Sequence, residues 1–185
     1  LTQDQQTSVK EIVSDLQSPR MMYRFLQGDV GSGKTVVSSV ALYANYLAGY
    51  QGALMAPTEI LASQHYQTLL SFFKDTDVKI ALLTGSLTNK EKERIYEQIQ
   101  NGDIDMIVGT HALFQKKVEY HRLGFVITDE QHRFGVEQRK ALKNKGSQVD
   151  FLIMSATPIP RTLAISMYGD MDVSTMKTMP KGRIP

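Results

Sequence analysis

Short apolar runs alternate along the chain with longer segments whose apolar residues recur at helical spacing, the pattern of βα units around a parallel sheet. Val9, Ile12, Val13 and Leu16 repeat along one face of a first helix. Thr2 and Gln5 open it at capping-box spacing, and Ser18-Pro19 closes it. Residues 23–27 read as a strand that runs into a Gly-rich turn at 28–33. Residues 34–48 are apolar over more than half a helical circumference (Val36, Val37, Val40, Ala41, Leu42, Ala44, Leu47). That helix is expected to be buried on several sides and to stop at Gly49. A strand at 53–56 follows, then a helix begun by Pro57, Thr58 and Glu59 that carries Ile60, Leu61, Leu69 and Leu70. Residues 79–83 read as a strand, and Thr88 with Glu91 opens a charged helix that buries Ile95 and Ile99 and ends near Gly102. Residues 105–108, 124–128 and 151–154 are three further strands. Runs such as Phe125-Val126-Ile127 suit strands covered on both faces. The expected fold is α/β, a three-layer domain with a mostly parallel central sheet and helices on both sides.

Composition narrows the possibilities. The 185 residues are 42% hydrophobic and 22% charged, enough apolar material for one domain with a real core and too little net charge (+2) for wholesale disorder. Every apolar stretch is interrupted within a few residues, so none can span a bilayer, and no charged-then-apolar leader opens the chain. Zero cysteines exclude disulfides and thiolate metal sites and fit a reducing cytoplasm. A pI near 8.7 permits a nucleic-acid partner. The chain opens at Leu1 and closes on Pro-Lys-Gly-Arg-Ile-Pro, which reads as a piece of something longer. Residues 1–176 would form the domain and 177–185 the start of a linker.

Gly28-Asp29-Val30-Gly31-Ser32-Gly33-Lys34-Thr35 fits G-x-x-x-x-G-K-[ST] between a strand and a buried helix. Glycines let backbone N–H groups turn inward around an anion without Cβ clashes, and the helix adds the positive end of its dipole. Lys34 can reach β- and γ-phosphates, and the Thr35 hydroxyl can ligate Mg²⁺. The chain therefore reads as a P-loop nucleotide-binding domain.

Asp129-Glu130 follows the apolar strand at 124–128, where ligands of an open α/β sheet collect. One carboxylate there can hold Mg²⁺, and its neighbour can orient and deprotonate an attacking water. No Asn-Lys-x-Asp guanine reader is present, which favours ATP.

These motifs, with Ala56-Pro57-Thr58-Glu59-Ile60-Leu61-Ala62, Thr84-Gly85-Ser86, Gly109-Thr110-His111, Asp129-Glu130-Gln131-His132 and Ser155-Ala156-Thr157, come in the order of a superfamily 2 helicase, and the chain resembles the first RecA-like motor lobe of that superfamily. Its longer motifs, among them Thr157-Pro158-Ile159-Pro160-Arg161-Thr162-Leu163-Ala164, are similar to those of the bacterial helicases of branched DNA. The motor of the transcription-repair coupling factors shares part of them. The resemblance implies that Lys34 and Thr35 hold phosphates and Mg²⁺, that Asp129 holds Mg²⁺ and that Glu130 activates water. It implies adenine reading by Gln5, which could instead serve only as the capping partner of Thr2. Thr58, Gly85, Thr110 and His111 would touch the DNA backbone, although each also suits a plain helix cap. His132, Ser155 and Thr157 would couple hydrolysis to DNA, although Ser155 and Thr157 also suit a turn before Pro158 and His132 a structural place in its loop. The basic segment 133–145 suits either DNA or a solvated helix face. The resemblance also implies a second RecA-like lobe carrying an arginine finger and a wedge domain, neither of which this chain shows. A small-molecule kinase and a non-catalytic nucleotide-gated module are the competing classes.

Overall fold

The computed structural model describes residues 2–17, 23–28, 33–129, 149–155 and 172–176. Within them the chain runs α1 (Gln3–Gln17), β1 (Tyr23–Gly28), α2 (Lys34–Leu47), β2 (Gln51–Met55), α3 (Glu59–Phe72), β3 (Ile80–Leu83), α4 (Asn89–Asn101) and β4 (Met106–Gly109). A 3-10 turn at His111–Phe114 follows, then β5 (Leu123–Asp129), β6 (Asp150–Ser155) and β7 (Asp172–Met176). The seven strands form one sheet in the order β3-β4-β2-β5-β6-β1-β7, and every pairing is parallel.

Two cores form because side chains alternate across each strand. On one face Leu54, Phe125, Ile127, Leu152 and Met154 meet Ile12 of α1, Val37, Ala41 and Leu42 of α2, and Ala62 and Leu69 of α3. On the other, Ala53, Met55, Val126, Phe151 and Ile153 meet Ile99 of α4 and Leu113 of the 3-10 turn. This is the expected three-layer arrangement.

Helix starts follow local chemistry. Thr2 and Gln5 form a reciprocal capping box: the Gln5 N–H donates to Thr2 Oγ1 at 3.2 Å, and the Thr2 N–H donates to Gln5 Oε1 at 2.8 Å. Thr58 Oγ1 accepts from the Leu61 N–H, and Thr88 Oγ1 from the Glu91 N–H, each at 3.2 Å. Gly49 (φ 91) and Gly102 (φ 82) end α2 and α4 in the left-handed region.

Three expectations shift. β2 begins at Gln51, not 53, because the buried Gln51 amide is fully used: Nε2 donates to the carbonyls of Ile99 (3.1 Å) and Ile104 (2.8 Å), and Oε1 accepts from the Arg122 N–H (2.9 Å). Ile60 on α3 and Leu47 at the end of α2 are exposed rather than buried, at 73% and 67%, since both lie at helix ends beyond the packed stripe. β7, the edge strand beside β1, carries no apolar run and was not expected from the sequence.

Candidate functional site

A parallel sheet sends the carboxyl ends of all its strands to one edge, and the described residues among those singled out by sequence gather at it or beside it. β1 ends at Gly28, and Gly33, whose φ of 88 only glycine adopts easily, stands immediately before Lys34 begins α2. Its N-cap is a glycine, which has no side chain to cap the helix start. The Lys34 ammonium reaches back along the turn and donates to the Gly28 carbonyl at 2.6 Å. Buried Gln5 lies against Gly33: a Cβ there would run into Gln5 Nε2. The capping reading of Gln5 holds, since its Oε1 completes the cap of α1, while its amide nitrogen packs on Gly33.

Asp129 ends β5. In register it pairs with Met154 of β6, which pairs with Leu26 of β1, so a single strand separates the aspartate from the strand that carries the Gly-rich turn. Two strand spacings amount to about 10 Å, a span that a triphosphate with its metal can bridge. Asp129 shares the β5 face of Phe125 and Ile127, the face covered by α2 and α3. There His65 of α3 meets it, Nε2 to Oδ2 at 2.7 Å, and both side chains are largely buried. Ser155, also buried, ends β6 opposite Gln27 of β1.

The other half of the same edge carries the candidate DNA contacts. Thr58 follows β2, Gly85 follows β3, and Thr110 with His111 follows β4; Thr58, Gly85 and His111 are exposed. Thr58 does cap α3, yet its hydroxyl hydrogen is not consumed by that bond. Thr110 makes no side-chain cap bond. Glu59 Oε1 accepts from the Ser86 N–H at 3.0 Å and so ties the loop after β3 to the first turn of α3. The Ala56 N–H donates to the Gly109 carbonyl at 2.8 Å, joining the ends of β2 and β4. The edge is therefore divided: nucleotide candidates on β1, β6 and β5, DNA candidates on β2, β4 and β3.

Asp29, Val30, Gly31, Ser32, Glu130, His132, Thr157 and the basic segment 133–145 lie outside the described residues. Sequence reasoning missed His65 and Glu59. His65 carried a signal: it falls between Ala62 and Leu69 on the buried row of α3, where a polar ring has to find a partner. Glu59 carried none beyond its place next to Thr58.

Comparison with known proteins agrees with the fold. A profile of DEAD/DEAH box helicases matches residues 2–165. The ATP-dependent DNA helicase RecG of Staphylococcus aureus strain NCTC 8325 is 57% identical over all 185 residues, and RecG of Bacillus subtilis strain 168 is 58% identical over 183. The chain spans 27% of the length of each of these relatives. A solved structure of RecG bound to a three-way DNA junction superposes with a TM-score of 0.87 at 49% identity, covering 100% of this chain and 25% of that one. A DEAD box protein from Methanococcus jannaschii shares the fold at a TM-score of 0.67 and 23% identity, covering 94% of this chain and 49% of that one.

Proposed function

This chain belongs to the DEAD/DEAH box helicase family, and from that premise we propose that it is the ATP-binding motor lobe of a RecG-like DNA helicase, coupling ATP hydrolysis to remodelling of branched DNA. Fork reversal and migration of Holliday junctions, in repair and recombination, are the activities assigned to the whole protein. The observation that carries the proposal is the divided edge, with the phosphate turn and Asp129 one strand apart and the hydroxyl-bearing loops on the adjoining strands.

The residues fit ATP and Mg²⁺ on structural grounds. A Cβ on Gly33 would press on the end of the Gln5 side chain, α2 starts from a glycine with no side chain to cap it, and the Lys34 ammonium stands at the Gly28 carbonyl. Lys34 and the backbone N–H groups of residues 28–35 would hold the phosphates. Thr35 and Asp129 are the metal-holding pair, and Gln5 reads adenine from beside Gly33. Mg²⁺, when bound, neutralises charge on the phosphate oxygens. Glu130 takes the proton of the attacking water. Thr58, Gly85, Thr110 and His111 hold the DNA sugar-phosphate backbone without reading sequence. Ser155, with His132 and Thr157, passes the state of the nucleotide site to those loops.

The rest of the machinery belongs to other parts of the protein. A second RecA-like lobe supplies the arginine finger and closes the cleft on ATP, and a wedge domain engages the branch. Because the arginine finger is worth about 10³-fold or more in related enzymes, this lobe alone turns over ATP poorly and unwinds nothing. The work takes place in the cytoplasm, where bacterial DNA lies; among the described residues no helix is long and apolar enough to cross a membrane.

The test is phosphate release by the whole protein with and without branched DNA. Branched DNA is expected to stimulate release. Lys34→Ala and Glu130→Gln are each expected to lower it by about 10²-fold or more, the scale on which preorganised groups act. Turnover indifferent to DNA but stimulated by a small-molecule acceptor would replace the helicase reading with a kinase.

A further inference from the structure

His65 belongs to none of the roles assigned above, yet it makes the closest side-chain contact to the metal-holding carboxylate among the described residues. A carboxylate can only accept, so the Nε2–H donates and the proton on that nitrogen is specified. The bond occupies Oδ2 of Asp129 and leaves Oδ1 for a ligand. His65 itself is held in place. Ala62 and Leu69, three residues before and four after it, are fully buried against the sheet, so α3 holds the backbone of His65 fixed over β5.

The same helix begins at the candidate DNA contacts. Thr58 caps its first turn, and Glu59 grips the Ser86 N–H of the neighbouring loop. Seven residues, two helical turns or about 10 Å, separate Thr58 from His65. One packed rod thus touches the DNA-side loops at one end and the metal-side carboxylate further along.

We propose that His65 is a positioning residue for ATP hydrolysis: it fixes the orientation of Asp129 for Mg²⁺ and ties that carboxylate to the helix bearing Thr58. This rests on the nucleotide-site reading given above. Partners of metal ligands set metal affinity by holding the ligand in one orientation, and losing one typically costs about 10- to 100-fold.

The experiment follows binding of a fluorescent ATP analogue while Mg²⁺ is titrated, in the wild type and in His65→Leu, His65→Gln and Lys34→Ala. His65→Leu is expected to raise the Mg²⁺ concentration for half-maximal binding about 10-fold while leaving metal-free nucleotide binding within about 2-fold. The Gln amide keeps a donor at similar reach, so His65→Gln is expected to restore the Mg²⁺ dependence to within about 3-fold. Wild-type Mg²⁺ dependence in His65→Leu would overturn the proposal, and so would equal impairment of the Leu and Gln variants, which would mark the ring as packing alone. A second measurement does not depend on how the variants fold. In metal-free wild-type protein the imidazole NMR spectrum is expected to show a slowly exchanging Nε2 proton on His65; its absence refutes the contact. Lys34→Ala separates the two levels. If it binds nucleotide as well as wild type does, or if wild type binds none, the nucleotide-site reading fails. If it alone loses binding and His65→Leu does not differ from wild type, only the role of His65 fails.

Discussion

Thr128 sits one residue before Asp129 with its side chain on the opposite face of β5, fully buried between Met55 and Ile153 on the neighbouring strands. Among the described residues its hydroxyl is the buried side-chain group that lacks a hydrogen-bond partner. Burying an unpaired hydroxyl costs about 1–3 kcal/mol, and valine has nearly the same shape without it. Thr128→Val is therefore expected to stabilise the protein by about 1 kcal/mol in urea unfolding with an unchanged slope. A loss of stability would show that the hydroxyl has a partner after all. Gly109 is the opposite case, a position where one methyl is too much. An added Cβ would run into the backbone carbonyl of Leu83 and lie 2.9 Å from Leu113 Cδ2, whereas a Cβ at Gly85 would make only an ordinary 3.5 Å contact with Glu59 Oε1. Gly109→Ala is expected to cost about 2 kcal/mol or more, since β3 and β4 must part, and Gly85→Ala under about 1 kcal/mol. Equal unfolding midpoints for the two variants would contradict this.

Elements are joined by a few buried polar groups, and Tyr120 shows how. Its hydroxyl donates to the Leu113 carbonyl at 2.9 Å and pins the strand-to-strand connection after β4 against the 3-10 turn. Burial pushes the phenol well above its ordinary value of 10. The folded protein therefore favours the neutral form, and the unfolded chain releases the proton first. The resulting stability is complete below pH 10 and is lost as pH rises from there toward the folded value, by up to about 1.4 kcal/mol per pH unit. Tyr120→Phe is expected to cost about 1 kcal/mol at pH 7 and to flatten the fall in unfolding midpoint above pH 10. Parallel pH profiles for the two proteins would refute that cause.

At this scale most of the fold was legible. Thr2, Thr58 and Thr88 announced three helices by capping chemistry, Gly49 and Gly102 ended two, and apolar runs marked six of the strands. β7 was not legible because Asp172-Val173-Ser174-Thr175-Met176 has no apolar run, and its pairing to β1 is decided by the rest of the sheet. Gln51 was not legible as a strand residue because what makes it buriable, two carbonyls and an N–H from three other segments, is visible only once the chain is folded.

For the molecule as a whole, parallel topology turns scattered motifs into one surface. Each motif follows an apolar strand in the sequence, and parallel strands bring all their carboxyl ends to one edge. That gathering could be read from the chain alone. The strand order could not, and it is the order that sorts nucleotide candidates to one half and DNA candidates to the other. The link from His65 to Asp129 was only half legible: spacing on α3 pointed the ring inward, but nothing in the sequence said that β5 would lie beneath it.

The central claim is that Lys34 and Asp129, 95 residues apart in sequence, grip one ligand. It is tested most directly by a double-mutant cycle on Mg²⁺–ATP affinity with Lys34→Ala, Asp129→Ala and both together. Groups that share a ligand couple, so the cycle is expected to close with an interaction energy above about 1 kcal/mol. Single losses that add to within about 0.4 kcal/mol would place the two residues in separate sites and contradict the account.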